Sequence, residues 1–532
     1  MTAAIRPFGK TLLKPLLFFS ALLLWAPGIY AQVKKAPPAN PEIAKDHFTH
    51  HNYIFALPIF VELTKQQPKN VDYNLKTAIC YLNTSTNKAA AVPYIEFVCQ
   101  QPKPDAESFF YLGKAYQYAY RFDEAIDAYE KCTKVSKSAL LQQAERQIET
   151  CNNAKELVKF PLDAVYMNLG KQVNSEFPDY NPLIPSDESF MIFTSRRPRS
   201  SGLQPEMDGY YSSDIYISYP RDGVWQKAKD IGSQINTALD EQAVDITPDG
   251  KIMIVYLDHI DSVGNIYYSE LTNKNAFSKL IKFDMDVNSG FETSGSISNN
   301  RDLIVFASKR SDGFGETDLY SVKKLPSGEW ALPQIMGNQI NTKYKEDYPH
   351  LGPDGKTLYF ASQGHSSMGG FDIFKSVYSD ETNTWSPPEN LGFPINSPDD
   401  DMSISITSDS CYGYLSSSRD GGYGDLDLYK IKFNKSFNRY CIVSGTISTS
   451  DTMGPYLKKQ IVSVKNETRE IQKYTAVRET GKYVMALTPG KYTVTVKAPG
   501  YEDYNYLLTI TDVPFQPEKK QDFQLNKDIT SN

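Results

Sequence analysis

Residues 340–374 read INTKYKEDYPHLGPDGKTLYFASQGHSSMGGFDIF. The stretch opens on a hydrophobic-Asn pair, Ile340-Asn341, and passes an acid at Glu346. It turns at Pro353-Asp354-Gly355, runs apolar to Ser362, and begins a second apolar run at Asp372. Asp-Gly tolerates the positive φ of a tight turn, and short β-branched or aromatic runs bounded by such turns are strands. Four more copies of this grammar surround it, spaced 51 to 62 residues apart. Their hydrophobic-Asn pairs are Val173-Asn174, Ile235-Asn236, Val287-Asn288 and Ile395-Asn396, and their turns centre on Asp187, Asp249, Asn300 and Asp409. Second strands read SFMIFTS, KIMIVY, DLIVFAS and CYGYLSS, third strands start at Asp214, Asn265, Asp318 and Asp427, and Trp225, Trp330 and Trp385 close three copies.

Four strands in a unit of about 50 residues, repeated, is the grammar of propeller blades. Five copies over 161–433 predict a five-bladed β-propeller. The segment around Tyr166 to Gly170 reads as the outer strand of a blade whose other strands come last, which would close the ring by strand exchange. The units resemble the PD40 (WD40-like, TolB-type) repeat. Aligned on their turns, the copies share an acid eight residues earlier: Asp179, Glu241, Glu292, Glu346 and Asp401. These could form an acidic ring at the channel mouth that attracts a cation or a basic peptide, or each could cap backbone N–H groups of its own blade. A second column, Asp214, Asn265, Asp318, Asp372 and Asp427, reads as turn caps. The stretches GGFD and GDLD around it lack the alternating oxygen ligands of a calcium loop.

Upstream, 41–160 carries a 34-residue helical period: Ala56, Phe60 and Pro68 recur as Ala90, Tyr94 and Pro102, and a third copy begins at Phe109. Small residues at helix crossings with aromatics between them resemble tetratricopeptide repeats, with 138–159 as a terminal capping helix. In such repeats the first helix of each pair lines a groove. The register then offers Tyr73, Thr77, Tyr81, Phe110, Lys114, Gln117 and Tyr118 as a partner-binding surface. His47, His50 and His51 share a helix face, but no carboxylate or Cys completes a metal set, and a polar face is the better reading.

Downstream, 440–525 contains Val443, Gly445, Thr480-Gly481, Pro489-Gly490 and the alternating run YTVTV. It resembles a carboxypeptidase regulatory-like domain, a small transthyretin-like β-sandwich, and 526–532 is a polar tail. At the other end, Arg6, Lys10 and Lys14 precede an apolar run from Leu16 to Ala26 and a small-residue stop at Ala31. This is the layout of a cleavable export signal over 1–31. No other segment approaches the length of a membrane span.

Net charge is −7 with no long basic run, which argues against nucleic acid. Spacing opposes disulfides between Cys80 and Cys99 or Cys132 and Cys151, since neither pair faces across an antiparallel helix turn; Cys411 and Cys441 stay undecided. No nucleophile elbow, zinc-helix or phosphate-loop motif occurs. The closest match to an elbow, Gly364 to Gly369, lies in a loop of the fourth unit. No catalytic residue, cofactor or metal is expected. The order of signal, tetratricopeptide repeats, PD40 propeller and regulatory-like sandwich resembles PorE-type envelope proteins of the type IX secretion machinery. The C-terminal OmpA-like domain typical of that family does not follow, so direct peptidoglycan binding is not carried over. The resemblance implies a non-enzymatic periplasmic scaffold, peripheral to the outer membrane, whose partners are envelope proteins of a secretion or gliding apparatus. A glycan- or peptidoglycan-fragment-binding protein and a propeller hydrolase or lyase are the alternatives.

Overall fold

The computed structural model describes residues 39–532, apart from 86, 137–138, 199–204, 260–261, 274–275, 285, 409–410, 420, 435–440, 450–459, 467–470, 478–479, 511–518 and 529–532. The signal segment expected at 1–31 lies outside the described residues, as does the end of the tail. No helix among the described residues is long and apolar enough to cross a membrane.

Seven α-helices come first: α1 (Pro41–Thr49), α2 (Tyr53–Gln66), α3 (Val71–Leu82), α4 (Val92–Cys99), α5 (Ala106–Tyr118), α6 (Phe122–Val135) and α7 (Ala139–Leu157). Side-chain caps start four of them. Asn40, Asn52, Asn70 and Asp105 each accept a backbone N–H from the first turn, which would otherwise be orphaned. The repeated alanines and aromatics lie where helices meet, and Ala56, Phe60, Ala125 and Tyr129 are buried. Cys80, Cys132 and Cys151 are buried free thiols, and burial pushes Cys80 up to about 12.

Among the described residues, the strands from 164 to 433 make five antiparallel sheets of four or five strands and a two-stranded ribbon, Pro220–Arg221 with Val224–Trp225. The first joins Asp179–Leu183, Met191–Ser195, Asp214–Ser218 and Lys229–Asp230; the second runs from Asp240–Ile246 to Ile281–Lys282, and the third from Phe291–Ile297 to Gln334–Ile335. The fourth joins Glu346–Leu351, Thr357–Ser362, Asp372–Ser379 and the short strands after it. The fifth takes Ile404–Ile406, Tyr412–Ser417 and Asp427–Phe433 and adds the earliest strand, Ala164–Asn168, at its outer edge, with Tyr166 opposite Ile431. The first four sheets pack each on the next, the fourth and fifth share an apolar cluster through Ile373, Ile404 and Ile431, and the fifth returns to the first, where strand Asp179–Leu183 meets the fifth sheet's strands. The ring is a propeller closed by its own N-terminal strand. Hydrophobic clusters fill each gap between sheets; one holds Val305, Leu319, Ile340, Leu358 and Phe374.

The first-to-second-strand turns hold a left-handed residue in the same slot: Gly250 (φ 69°) and Gly355 (φ 65°), but also Glu188 (φ 51°) and Arg301 (φ 60°). The turn geometry thus survives without glycine, at a backbone cost of about 1–2 kcal/mol for each L-residue.

Strands from 441 to 525 form two further sheets, one built on Cys441–Thr449 and Lys482–Leu487, the other on Ile461–Asn466, Gly490–Lys497 and Tyr504–Ile510. Their facing sides share one core that includes Val443, Met485, Val464, Val494 and Phe523.

Gly113, at the α5–α6 crossing, gives a local test of the helical packing. A Cβ there would lie 2.5–2.7 Å from three ring atoms of Tyr129, a ring that is fully buried and donates its hydroxyl to Gln117 Oε1 at 2.8 Å. Helix propensity would reward Gly113→Ala by about 1 kcal/mol, but overpacking a fixed ring costs about 1–3 kcal/mol. We expect Gly113→Ala to lower the melting temperature in calorimetry; an unchanged or raised value would show that the crossing can open.

Candidate functional site

The repeated Asn has one job in all five sheets. Asn341 Oδ1 accepts the N–H of Leu319 at 2.7 Å and its Nδ2 donates to the carbonyl of the same residue at 3.0 Å. Asn236 does this to Ile215, Asn288 to Ile266, Asn396 to Ile373 and Asn174 to Leu428, at 2.8–3.1 Å. The apolar partner before each Asn plugs the core: Val173, Ile235, Val287, Ile340 and Ile395 are all buried.

The acidic column is likewise built into its own sheets. Asp179 accepts from Ser175 N and Oγ at 2.6 and 2.9 Å, Asp401 from Ser397 N and Oγ at the same distances, and Glu346 from Thr342 N and Oγ1 at 2.7 and 2.8 Å. Glu292 takes Gly290 N at 2.8 Å and Glu241 the Thr237 hydroxyl. All five are buried. Asp179, Glu292, Glu346 and Asp401 thus each accept a backbone N–H of their own turn, as the capping alternative has it, and Asp179 and Glu292 also pair with Arg197 and Arg310. The second column lies beside the first: Asp318 caps Phe314 N and Gly315 N, and Asp372 caps Met368 N at 2.9 Å. Burial pushes Glu346 and Asp372 up to about 7, and the charge of Asp318 adds to the effect on Glu346. Asp401 is raised strongly by burial and then by Asp372. Across the channel, His350 Nδ1 meets Asp245 Oδ1 at 2.6 Å. Burial pulls His350 down, but the charge and hydrogen bond of Asp245 hold it above its ordinary value.

The fourth sheet departs from the pattern. In three others a Ser-x-Arg motif ends the second strand. Arg197 Nη2 donates to Val173 O at 2.8 Å, Arg310 to Val287 O at 2.6 Å and Arg419 to Pro394 O at 2.7 Å. After Ser362 the arginine slot holds Gly364, where a Cβ would fall 2.3–2.8 Å from the Thr342 side chain. His365 Nε2 takes over the carbonyl of Ile340 at 2.8 Å. The guanidinium arrives from α7 instead. Arg146 Nη2 donates to the carbonyls of Gln363 at 2.7 Å and Gly364 at 2.9 Å and to Ser367 Oγ at 2.7 Å, while Asn153 donates to Ser367 O at 2.8 Å. Glu149 then bridges Arg146 at 3.1 Å to Lys482 at 2.9 Å. Met368 sits in one apolar cluster with Tyr129, Ile148 and Cys151 of the helices and with Ile442 and Val484 of the C-terminal sheets. The loop that had the best elbow spacing is therefore the docking loop for both neighbours.

This docking uses much of the groove expected from the helices. Gln117 is buried and donates to Thr150 Oγ1 at 3.1 Å and Met368 O at 3.4 Å. Tyr118 lies under Lys88, whose Nζ pairs with Asp399 at 2.5 Å, and burial together with Asp399 and Asp400 raises its hydroxyl. Lys114 is lowered by burial and by Lys88, with Asp400 and Asp399 opposing. Phe110 packs edge-on to Tyr129, and Thr77 bonds Thr64 inside the bundle at 2.9 Å. Tyr73 and Tyr81 are half-buried beside Phe60 and Tyr94. The histidines of α1 and the turn after it are locally engaged: His50 with Asp46 O, His51 with Tyr53 Oη and His47 stacked on Phe55. No group of three or more potential metal ligands occurs among the described residues.

Where α7, the fourth sheet's docking loop and the C-terminal sheets converge, a cleft of about 580 Å³ remains, lined by Arg146, Glu149, Lys343, Tyr344, Ser366, Lys482 and Lys520 among others. Apart from Ser366, in the elbow-like stretch, none of these is singled out by the sequence. Their signal was the break in the repeat, Gly364 where sister copies carry Arg.

No family model and no curated protein matches the chain. Among solved structures, TolB from Acinetobacter baumannii aligns at 15% identity over 57% of this chain and 71% of that one, with a TM-score of 0.31. An α-L-arabinofuranosidase from Lactobacillus brevis aligns at 12% over 52% and 93%, TM-score 0.30, and a puromycin-hydrolysing peptidase from Mycobacterium tuberculosis at 12% over 64% and 61%, TM-score 0.26. Likeness at this level reaches binding proteins and hydrolases alike and carries no argument about activity.

Two outcomes follow from this geometry. Breaking a buried ion pair costs about 3–5 kcal/mol, so Arg146→Ala should split the wild-type calorimetric transition into two as the helices release from the ring; a single transition would mean that the apolar contacts suffice. The raised carboxyls set the sign of the pH response. Above its ordinary value of 4.5 and up to about 7, Glu346 holds a proton in the fold that the unfolded chain has lost. Stability is therefore fullest below pH 4.5 for this group and falls as pH rises through 7. Glu346→Gln should flatten the decline in melting temperature between pH 5.5 and 8; an unchanged slope would place the titration elsewhere.

Proposed function

We propose that the chain is a non-enzymatic periplasmic scaffold, peripherally associated with the outer membrane, that joins components of a type IX secretion or gliding apparatus through protein–protein contacts. In this reading α1–α7 are tetratricopeptide-type repeats, the five sheets are a five-bladed PD40-type propeller, and the last two sheets are a regulatory-like, transthyretin-type sandwich. One observation carries it. Helices, ring and C-terminal sheets share a continuous apolar cluster through Met368, locked by the Arg146–Glu149–Lys482 bridge. Modules strung for independent binding need no such shared core; a part that sets the spacing of its partners does. The strongly shifted carboxyls of the ring caps support the non-enzymatic side, because Glu346, Asp372 and Asp401 are engaged by backbone N–H groups of their own turns.

The test is affinity purification of the tagged mature protein from its native envelope after mild crosslinking, read by mass spectrometry. Outer-membrane secretion or motility proteins should be enriched over an untagged control. Recovery of no protein partner, or of glycan alone, would overturn the scaffold reading.

A further inference from the structure

The cleft at the three-way junction is more than leftover space. Its volume of about 580 Å³ lies within the range of small-ligand sites, about 300–1,000 Å³. Four cationic side chains, Arg146, Lys343, Lys482 and Lys520, face it against two carboxylates, Glu149 and Asp522. Both carboxylates are already engaged. Glu149 lies between Arg146 and Lys482, and Asp522 Oδ1 accepts the N–H of Thr446 at 2.7 Å. Among the described residues, no carboxylate lies within ion-pair distance of Lys343 or Lys520, and Lys343 Nζ sits 5.1 Å from the centre of the Tyr344 ring.

Deeper in, two polar atoms are buried without a hydrogen-bond partner: Ser366 Oγ, on a residue only 4% exposed, and Arg146 Nε. A buried donor left unmade costs about 1–3 kcal/mol, and here both belong to residues that line one cleft. The field inside is positive: burial pushes His365 down to about 4, and the charges of Lys520 and Arg146 push it the same way. Tyr344, Tyr483, Val477 and Val484 supply apolar wall, and half-exposed Phe314 stands at the rim.

We propose that this cleft binds a small oxyanion with an apolar body, its carboxylate or phosphate head held by Lys520, Lys343 and Ser366 and its body against Tyr344 and Phe314. The inference goes beyond the scaffold reading and does not depend on it. Carboxylate and phosphate heads share the chemistry of these donors, a strong acceptor opposite ammonium and hydroxyl.

Isothermal titration of the purified mature protein distinguishes the sources with three probes: a free-acid Phe-terminated tripeptide, its C-terminal amide, and phenyl phosphate. We expect at least one oxyanion probe to bind with a dissociation constant of about 1 mM or tighter, and the amide at least about tenfold more weakly. Lys520→Glu reverses an exposed charge that no packing depends on and should weaken that probe about tenfold or more. Ser366→Ala should weaken it less and raise the melting temperature of the free protein, since it removes the unpaired hydroxyl. Tighter binding of the tripeptide acid assigns the site to peptide or amino-acid carboxylates, and tighter binding of phenyl phosphate to phosphorylated ligands. Equal affinity for acid and amide, binding unaffected by Lys520→Glu, or no binding of any probe at about 10 mM would overturn the proposal.

Discussion

The ring depends on five side-chain amides doing the work of backbone. An Asn that both accepts from and donates to one residue of a third strand is, to that strand, one more rung of the ladder. It pins the connection between sheets to the sheet just completed. Each bond is worth about 0.5–1.5 kcal/mol net, but the alternative is a buried peptide group left unpaired, which costs more. Neither Asp nor Gln offers the same donor and acceptor at this reach, which accounts for identical residues in five copies of otherwise divergent sequence. At the closure the clamp reaches furthest along the chain. Asn174 holds Leu428, and Asn168 on the neighbouring strand donates to Asp427 at 2.8 Å. The ends of the repeat array are fastened by the same device that joins its interior.

The same economy explains the acids. Turns that lead into the first strands leave an N–H and a hydroxyl pointing inward, and in the first, fourth and fifth sheets one carboxylate accepts both. Burial works against the charge, and a neighbouring acid works against it again at Glu346 and Asp401, so Asp179, Glu346, Asp372 and Asp401 are all raised above their ordinary values. The shared acidic column is in this sense a set of buried caps whose desolvation is costly.

Much of this was legible beforehand, and the limits have physical causes. The five sheets, their turns and the displaced outer strand followed from hydrophobic-Asn pairs and Asp-Gly turns, because hairpins are local and their chemistry is written within a few residues. The slot held by Glu188 and Arg301 shows how far that holds: the φ is kept although the residue that announces it is missing. The helical groove was read from register alone. Register says which face Gln117 and Tyr118 occupy, not whether another part of the same chain covers that face. Contacts between residues more than 200 apart, such as Arg146 with Gln363 and Asn153 with Ser367, leave no periodic trace. They could be sensed only as an irregularity, Gly364 in an arginine position.

That irregularity bears on how the three parts belong together. In the first, third and fifth sheets an arginine after the second strand donates to a carbonyl of the segment that precedes the first strand. In the fourth His365 meets that carbonyl, and the only guanidinium among the described contacts of this loop comes from α7, to the carbonyls of Gln363 and Gly364. The fourth sheet is therefore incomplete without the helices, since the carbonyls of Gln363 and Gly364 would lose their charged donor while Met368 lost its apolar surroundings. The reverse also holds: without the ring, Arg146 and Gln117 would be a charge and an amide on a bare helix face beside exposed hydrophobics. Two surfaces that each leave the other unsatisfied are not interchangeable adhesive patches. The same arginine orients Glu149 toward Lys482, so the C-terminal sheets are positioned by the contact that completes the ring. Any role that uses this protein as a spacer draws on that coupling, because one residue sets the placement of both flanking parts.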